Sequence, residues 1–200
     1  MSSTPRLIEA VLDSCLPLKP GVVLDVGCGY GKWGFLVWLH LFENRGKCTI
    51  VGVDVSSEYL KSARRLNVYE HLILADARNL PFKGRFADVS LVCEVVEHIG
   101  SKREGLRLLS EVERVTKRRV VVTTPRSNEA FSGSPDHVTK WEVGDFKRLG
   151  YKVRGVGLAA LSWKKGRLAS LLKHFVLKPL AYVIPRIGEY MVCVKELGRG

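Results

Sequence analysis

The stretch from Val22 to Gly34 limits what this chain can fold into more than any other part of it. Three apolar residues, two of them β-branched, lead into Asp25, and glycines then occupy every second position up to Gly31. β-Branched residues favour a buried strand, and closely spaced glycines favour a turn whose backbone approaches a ligand. The mostly apolar run that follows, Trp33 to Phe42, is long enough for a helix. A strand, a glycine turn and a helix are the unit with which α/β folds build nucleotide sites.

Apolar and amphipathic runs alternate along the rest of the chain, which predicts strands that alternate with helices. Strands are predicted at residues 22–26, 49–53, 71–75, 87–93, 119–124, 151–156 and 189–195. Helices are predicted near residues 5–15, 32–42, 58–66, 102–115 and 143–149. This order predicts an α/β fold with a doubly wound, Rossmann-like sheet of seven mainly parallel strands, an antiparallel last strand and a basic helical insertion before it. We expect a single domain over residues 1–200, with a cofactor-binding core at 22–156.

The basic residues of the chain are concentrated in its second half. The formal net charge is +12, yet residues 1–100 carry 11 basic and 11 acidic side chains, whereas residues 101–200 carry 21 and 9. From Phe146 to Gly188 there are ten basic residues and no acidic one. Such a field favours an anionic partner, namely nucleic acid, a lipid surface or a phosphorylated substrate. A solvated basic face that only aids solubility is the alternative.

The cysteines and the N-terminus predict the compartment. Five cysteines, an odd number with no C-x-x-C spacing, favour reduced thiols over a disulfide framework. No apolar run approaches the roughly 18 residues that span a bilayer. Residues 1–5 lack the charged and apolar regions of a signal peptide. We therefore expect a cytoplasmic protein with no transmembrane segment.

The spacing of the glycines distinguishes this turn from two other nucleotide-binding motifs. The pattern is Asp25-x-Gly27-x-Gly29-x-Gly31, whereas a dinucleotide turn reads G-x-G-x-x-G and a P-loop ends in G-K-[ST]. A carboxylate before the glycines would repel a pyrophosphate, but it can accept hydrogen bonds from an ammonium group or a bound water. The turn therefore favours a nucleoside that carries no pyrophosphate.

With this turn, and with acids after the next two predicted strands, the chain resembles the class I S-adenosylmethionine-dependent methyltransferases from about Val22 to Val156. Asp54 closes the second strand and Asp76 follows the third, although each acid alone is also typical of a turn or a helix cap. The resemblance implies S-adenosylmethionine as the cofactor. It implies contacts to the methionine end at Asp25, Gly27, Gly29 and Gly31, to the ribose at Asp54, to the adenine at Asp76 and Ala77, and to the sulfonium at Glu94. Cys28 and Val55 are further expected cofactor contacts.

A second group of polar residues, Glu94-x-x-Glu97-His98, lies at the end of the predicted fourth strand. Residues at i, i+3 and i+4 share one face of a helix, so all three can point at one spot. Two carboxylates and an imidazole form either a divalent-metal site or an acid–base cluster. With the later His137, the pattern is similar to the ubiquinone-pathway O-methyltransferases and to the small-RNA 3′-terminal 2′-O-methyltransferases. In the second group, E-x-x-E-H and a later histidine hold Mg²⁺.

The resemblance makes four residues candidate catalytic residues and candidate Mg²⁺ ligands: Glu94, Glu97, His98 and His137. A metal there would position and acidify an acceptor hydroxyl. The same pattern also occurs in family members with no known metal, where the first glutamate lines the methionine pocket and the other two residues brace a helix. Glu142-Val143 stands where those families often have Thr-Pro, which is a departure from both groups.

Residues 157–188 are too many for an ordinary connection between paired strands. Four apolar side chains in this segment fall on one face of a predicted helix: Leu168, Leu171, Leu172 and Phe175. The helix either packs on the domain as an amphipathic lid or docks, with Trp163 and its neighbouring lysines, on an anionic membrane or RNA. The sequence has no aromatic-rich strip typical of single-strand binders, which favours the membrane.

The resemblance therefore implies a methyltransferase that uses S-adenosylmethionine. We expect a hydroxyl or similar group on a small or lipid-like molecule as the acceptor, with RNA as the alternative acceptor. A module of the same fold that binds the cofactor without catalysis is the non-enzymatic alternative.

Overall fold

The computed structural model describes residues 7–15, 20–43, 47–126, 134–157 and 182–198. The strands in this part of the chain are β1 (Val22–Val26), β2 (Thr49–Asp54), β3 (His71–Leu74), β4 (Ala87–Cys93), β5 (Thr116–Pro125), β6 (Lys152–Val156) and β7 (Tyr190–Glu196). The α-helices are α1 (Ile8–Cys15), α2 (Lys32–Glu43), α3 (Ser57–Arg64), α4 (Lys102–Val115) and α5 (Val143–Arg148). Short 3₁₀ turns lie at Val96–His98 and Pro185–Ile187.

The predicted strands and helices occur in the predicted order, and most of their bounds agree to within two residues. An exception is β5, which begins at Thr116 rather than at residue 119. Thr116 is already part of the sheet because it pairs with Ala87 of β4, and its hydroxyl lies 2.6 Å from that of Ser90. The predicted start of the first helix and most of the basic segment, residues 158–181, lie outside the described residues.

The seven strands form one sheet in the order β3-β2-β1-β4-β5-β7-β6. The pairs from β3 through β5 are parallel, whereas β7 runs antiparallel to both β5 and β6. This confirms the predicted Rossmann-like sheet with an antiparallel last strand. Because β2 lies on one side of β1 and β4 on the other, the strand order reverses beside β1. In open α/β sheets, ligands bind in the crevice at such a reversal, outside the carboxyl ends of the strands.

Each face of the sheet carries its own core, since alternate residues of a strand point to opposite faces. Leu24 of β1 belongs to a buried cluster with Val112 of α4. Its neighbour Val23 belongs to a second cluster with Val11 of α1 and Val37 of α2. Helices therefore cover both faces, which is the doubly wound arrangement. No helix within the described ranges is both long enough and apolar enough to cross a membrane.

The five cysteines are free thiols, and four of them are buried. Burial raises the pKa of the Cys15 thiol to about 12 and that of the Cys48 thiol to about 11. Both thiols therefore stay protonated near neutral pH, where a thiol is a poor nucleophile. The expectation of unpaired thiols is confirmed for all five positions.

Phe146 of α5 offers a direct test of the core on one face. Its side chain is fully buried, and its ring centroid lies 5.2 Å from that of Trp141 and 5.7 Å from that of Tyr151. Because alanine would leave a cavity, we expect Phe146→Ala to lower the free energy of unfolding in urea by about 3–5 kcal/mol. Phe42→Ala is the matched control, since Phe42 is 67% exposed and should cost less than about 1 kcal/mol. Equal losses in the two variants would contradict this packing.

Candidate active site

A cleft of about 810 Å³ opens at the carboxyl ends of the strands beside β1, where the strand order reverses. Its volume lies in the range of small-molecule sites. Eight of the ten residues predicted to contact a cofactor line it: Gly27, Cys28, Gly29, Asp54, Val55, Asp76, Ala77 and Glu94. The other two, Asp25 and Gly31, are not among its lining residues.

Backbone hydrogen bonds fasten the glycine turn to the end of β2. The amides of Gly27 and Cys28 both donate to the carbonyl oxygen of Val53, at 2.8 and 3.0 Å. Gly27 has a φ of +69°, and a Cβ there would lie 2.5 Å from a methyl carbon of Val95, so a larger residue does not fit. An added Cβ at Gly29 would meet no atom of the described ranges within 4 Å. The turn therefore presents bare backbone to the cleft.

Asp54, the last residue of β2, links the glycine turn to the residues that open α3. Its Oδ2 accepts from the amide of Gly29 at 2.8 Å, and its Oδ1 accepts from the amide of Ser56 at 2.9 Å. The residue is buried, yet it borders the cleft. A carboxylate offers about four acceptor positions, so about two remain for a diol such as that of a ribose.

Asp25, which the resemblance places at the methionine end, is not among the residues that line the cleft. The residue is 1% exposed, and its Oδ2 accepts from the Gly34 amide at 3.1 Å and from the Tyr69 hydroxyl at 2.7 Å. Burial raises the pKa of Asp25 to about 6, although these two hydrogen bonds act in the opposite direction. Neither donor lines the cleft. The carboxylate therefore stabilises the turn on the side that faces away from the cleft.

At the predicted adenine end of the cleft, Asp76 forms hydrogen bonds and an ion pair with Arg78. The Asp76 Oδ1 accepts from the amide and the Nε of Arg78, at 2.8 and 3.0 Å, and Nη2 of Arg78 lies 2.6 Å from Oδ2. The Nη1 of Arg78 donates to Glu104 in the first turn of α4. The side-chain hydrogen bond from Arg78 lowers the pKa of Asp76, so this carboxyl group is ionised at neutral pH. Arg78 also lines the cleft.

Glu94 follows β4 in a backbone conformation that is uncommon for a residue with a side chain. Its φ is +59°, a strained conformation that costs about 1–3 kcal/mol and that clusters at functional sites. The Glu94 amide donates to the carbonyl oxygen of Thr123 at 2.9 Å, which ties the end of β4 to β5. Burial lowers the pKa of Lys32, whereas the charge of Glu94 acts to raise it. Lys32 and Glu94, which carry opposite charges, both line the cleft.

Glu97, His98 and His137 form a compact cluster beside the cleft. One possible ligand atom from each lies within 4.8 Å of those from the other two. Glu97 is fully buried; its Oε2 accepts from the Thr124 hydroxyl at 2.9 Å, and its Oε1 has no hydrogen-bond partner among the described residues. Burial, together with the charge of Glu94, raises the pKa of Glu97 well above its usual value. The two imidazoles line the cleft, with ring centroids 5.0 Å apart, whereas Glu97 does not line it.

One hydrogen bond orients the imidazole of His98. Its Nδ1 lies 3.0 Å from the carbonyl oxygen of Asp136, which can only accept, so we assign the proton to Nδ1. The Nε2 of neutral His98 is then left as an acceptor. Burial lowers the pKa of His98 below its ordinary value, which favours the neutral form at neutral pH.

The cluster is assembled by residues 134–141, which follow β5 in the chain and dock on the 3₁₀ turn. The amides of Val138 and Thr139 both donate to the carbonyl oxygen of Glu97, at 2.9 and 3.0 Å. The buried indole of Trp141 donates from Nε1 to the carbonyl oxygen of Val96 at 3.1 Å. These bonds bring His137 beside the 3₁₀ turn, although the two are far apart in the sequence.

The structure brings together three of the four residues predicted to form one metal or catalytic site. The pattern predicted Glu94, Glu97 and His98 on one helical face, but the helical turn begins at Val96. Because the positive φ of Glu94 turns the chain before that point, its carboxylate lies outside the cluster of possible ligands. Glu94 does line the cleft.

Several residues of the cleft were not predicted, namely Tyr30, Lys32, Tyr59, Arg78, Ser134 and Tyr190. Tyr30 and Lys32 lie within the glycine turn and the first position of α2, so the motif itself could have indicated them. Arg78 could have been inferred from its place two residues after Asp76. Tyr190 carries no local signal, because it reaches the cleft only through the antiparallel pairing of β7 with β5.

Comparison with known proteins points to one family. A family model described as a methyltransferase domain matches residues 24–123. The chain is 30% identical over 110 residues to the tRNA (carboxymethyluridine(34)-5-O)-methyltransferase of Arabidopsis thaliana, a match that covers 55% of this chain and 24% of that protein. It is 30% identical over 132 residues to the demethylmenaquinone methyltransferase of Thermotoga maritima, which covers 64% of this chain and 53% of that protein. The matches thus span about a quarter and about half of these two relatives.

Among solved structures, a SAM dependent methyltransferase from Archaeoglobus fulgidus is similar, with a TM-score of 0.65 at 20% identity, covering 98% of this chain and 95% of that one. At that identity the likeness supports the fold alone. The family match covers half of the chain and includes the glycine turn, β2, β3 and β4. The chain therefore belongs to the methyltransferase-domain family.

Proposed function

We propose that this chain is an S-adenosylmethionine-dependent methyltransferase whose acceptor is a hydroxyl on a small or lipid-like molecule. The observation that carries the proposal is the orientation of His98, whose Nε2 is left to accept a proton at a cleft that also holds Asp54 and the glycine turn. A hydroxyl acceptor needs a base, because its proton must leave as the methyl group arrives.

The nucleoside side of the cleft supplies the proposed cofactor contacts. Asp54 would accept from the ribose hydroxyls, the backbone at Gly29 would lie against the methionine part, and Asp76 with Ala77 would border the adenine. S-Adenosylmethionine, when bound, supplies a methyl group that is already activated, so the protein mainly aligns the acceptor and excludes water. Glu94 would border the sulfonium, where a negative charge favours a cation.

The acceptor side of the cleft carries the two imidazoles. In our proposal the Nε2 of His98 accepts the hydroxyl proton as the oxygen takes the methyl group, and the Asp136 carbonyl keeps the ring oriented through Nδ1. His137 also lines the cleft, where it would limit the positions that the acceptor can occupy. Glu97 braces the 3₁₀ turn, because its side chain accepts from Thr124 and its carbonyl accepts from two amides.

A metal-assisted reaction is the second candidate. It is favoured by the Oε1 of Glu97, which finds no hydrogen-bond partner in the part of the chain that the structure describes. Glu97, His98 and His137 would hold the ion, which would position and acidify the hydroxyl. This donor set of one carboxylate and two imidazoles suits metals such as Zn²⁺ or Fe²⁺ better than Mg²⁺, which prefers oxygen ligands. With Glu94 outside the cluster, the fit to Mg²⁺ is poorer than the sequence pattern predicted.

RNA is the alternative acceptor. The names of the relatives support both choices, since one acts on tRNA and the other is a demethylmenaquinone methyltransferase. Among the described residues that line the cleft, only Lys32 and Arg78 are basic apart from the histidines, and Arg78 is paired with Asp76 and Glu104. RNA binding usually depends on basic side chains that neutralise phosphates. We therefore place the lipid-like acceptor first.

We further propose that residues 1–200 form one domain, with residues 22–156 as its cofactor-binding core. The basic segment 157–188 would then either cover the domain as a lid or dock it on an anionic membrane. The absence of acidic residues from Phe146 to Gly188 supports the second role, because each basic side chain near an anionic surface strengthens binding.

Asp54→Ala tests the cofactor assignment. We expect calorimetry to show S-adenosylmethionine binding to the wild-type chain and binding about 10- to 100-fold weaker in the variant, because hydrogen bonds to a charged group are lost. Asp13→Ala is the control, since Asp13 is an exposed acid on α1 away from the cleft. No heat with the wild-type chain, or equal affinity in Asp54→Ala, would contradict the proposal. Binding without turnover on any acceptor would favour the non-catalytic module.

His98→Gln tests the proposed base. The wild-type chain should transfer radiolabelled methyl groups into a total lipid extract containing prenylated quinols, and less into total tRNA. We expect His98→Gln to lower this transfer about 100- to 10,000-fold while its affinity for S-adenosylmethionine stays within twofold. Label that enters only the tRNA would reverse the order of acceptors, and an active His98→Gln variant would exclude His98 as the base.

Chelation separates the two candidate mechanisms in the same assay. If His98 acts without a metal, dialysis against EDTA leaves transfer unchanged, and Glu97→Gln retains most of it because the isosteric amide still accepts from Thr124. If both treatments abolish transfer, and Zn²⁺ or Mn²⁺ restores the dialysed wild-type chain, the metal-assisted candidate replaces the first.

A further inference from the structure

Tyr69, which precedes β3, fills a space that three glycines leave open. A Cβ added to Gly34 would lie 2.2 Å from the Cζ of Tyr69, one added to Gly52 would lie 2.9 Å from Cε1, and one added to Gly31 would lie 3.1 Å from Cε2. These glycines belong to α2, β2 and the glycine turn. Because any larger residue at Gly34 or Gly52 would meet the ring, the position of the tyrosine is tightly defined.

The hydroxyl of Tyr69 reaches the buried acid behind the glycine turn. It donates to Asp25 Oδ2 at 2.7 Å, and the Gly34 amide lies 3.1 Å from the same oxygen and 3.2 Å from the tyrosine oxygen. Asp25 therefore joins the end of β1 to the first turn of α2, the two elements between which the glycine turn runs. Hydrogen bonds to an ionised acceptor are about twice as strong as those between neutral groups.

Few other groups among the described residues stabilise the ionised form of Asp25. The titratable groups that face it are Asp54 from β2, Cys28 from the turn, Cys93 from β4 and Tyr69 itself. None of these four is a cation, and the charge of Asp54 acts against ionisation of Asp25. The tyrosine hydroxyl and the Gly34 amide thus carry the stabilisation of this carboxylate among the described contacts.

We propose that Tyr69 is a positioning residue for cofactor binding: its hydroxyl holds the Asp25 carboxylate in place, and Asp25 in turn holds the ends of the glycine turn against the cleft. The inference rests on the proposed use of S-adenosylmethionine. Tyr69 does not line the cleft, so its removal takes away no contact with the cofactor. Its effect must pass through the shape of the turn.

Tyr69→Phe keeps the ring and removes only the hydroxyl, which donates to Asp25 and accepts from the Gly34 amide. The test is calorimetric titration with S-adenosylmethionine from pH 5 to pH 7.5. Wild-type affinity should fall as the pH drops through about 6, because protonation of Asp25 weakens its hold on the turn. In Tyr69→Phe the affinity at pH 7 should be about five- to tenfold lower, and the pH step should move up by about one unit, since the ionised acid has lost a donor. Asp25→Asn should remove the pH step altogether.

Tyr151→Phe is the matched control. Tyr151 is buried, and its hydroxyl donates to the carboxylate of Glu113 at 2.9 Å, but it packs in the cluster on the opposite face of the sheet from Tyr69. We expect the same cofactor affinity and the same pH step as in the wild-type chain. An equal shift in Tyr151→Phe would overturn the proposal, because general destabilisation would then explain both variants.

The remaining outcomes separate this role from the proposed function. A wild-type chain that binds no S-adenosylmethionine overturns the function and this role together. A wild-type chain that binds normally, with Tyr69→Phe within twofold in affinity and unchanged in its pH step, overturns the role of the tyrosine hydroxyl alone. If Tyr69→Phe does not fold, Asp25→Asn decides: a pH-independent affinity supports the proposal, and an unchanged pH step rejects it.

Discussion

The hydrogen bonds that join the glycine turn to the end of β2 are the constraint on which the rest of the site depends. Parallel pairing of β1 with β2 brings their carboxyl ends together, so the carbonyl of Val53 and the carboxylate of Asp54 meet the amides of the turn. These bonds hold glycines with positive φ in one shape, and the backbone of Gly29 is left bare at the cleft. The half of the site that we propose binds the nucleoside is therefore positioned by the parallel pairing of β1 and β2.

The other half of the site depends on a contact between distant parts of the chain. Residues 134–141 return from β5 and give two amides to the carbonyl of Glu97, which fixes the 3₁₀ turn and places His137 near His98. The strained backbone of Glu94 stands between the halves, with its side chain at the cleft. One half carries the residues that we propose bind the nucleoside, and the other carries the imidazole that we propose as the base.

Much of the fold could be predicted, because apolar runs and capping residues are local signals. The turn, the strands and the acids at the strand ends follow from residues that are close in sequence, and eight of ten predicted cofactor residues line the cleft. The orientation of Asp25 could not be predicted, because the hydroxyl that donates to it belongs to Tyr69, in a distant segment of the chain. The position of Glu94 could not be predicted either, because its spacing from Glu97 and His98 indicated a shared helical face. In the structure Glu94 has a positive φ, its amide donates to Thr123, and the 3₁₀ turn begins only at Val96.

A crystal structure of the chain with S-adenosylhomocysteine would test the proposed cofactor site. We expect the product nucleoside in the cleft, with its ribose hydroxyls on the carboxylate of Asp54, its adenine beside Ala77 and its sulfur on the side of Glu94 and His98. A nucleoside bound elsewhere, or one whose ribose makes no contact with Asp54, would show that the proposed site is wrong.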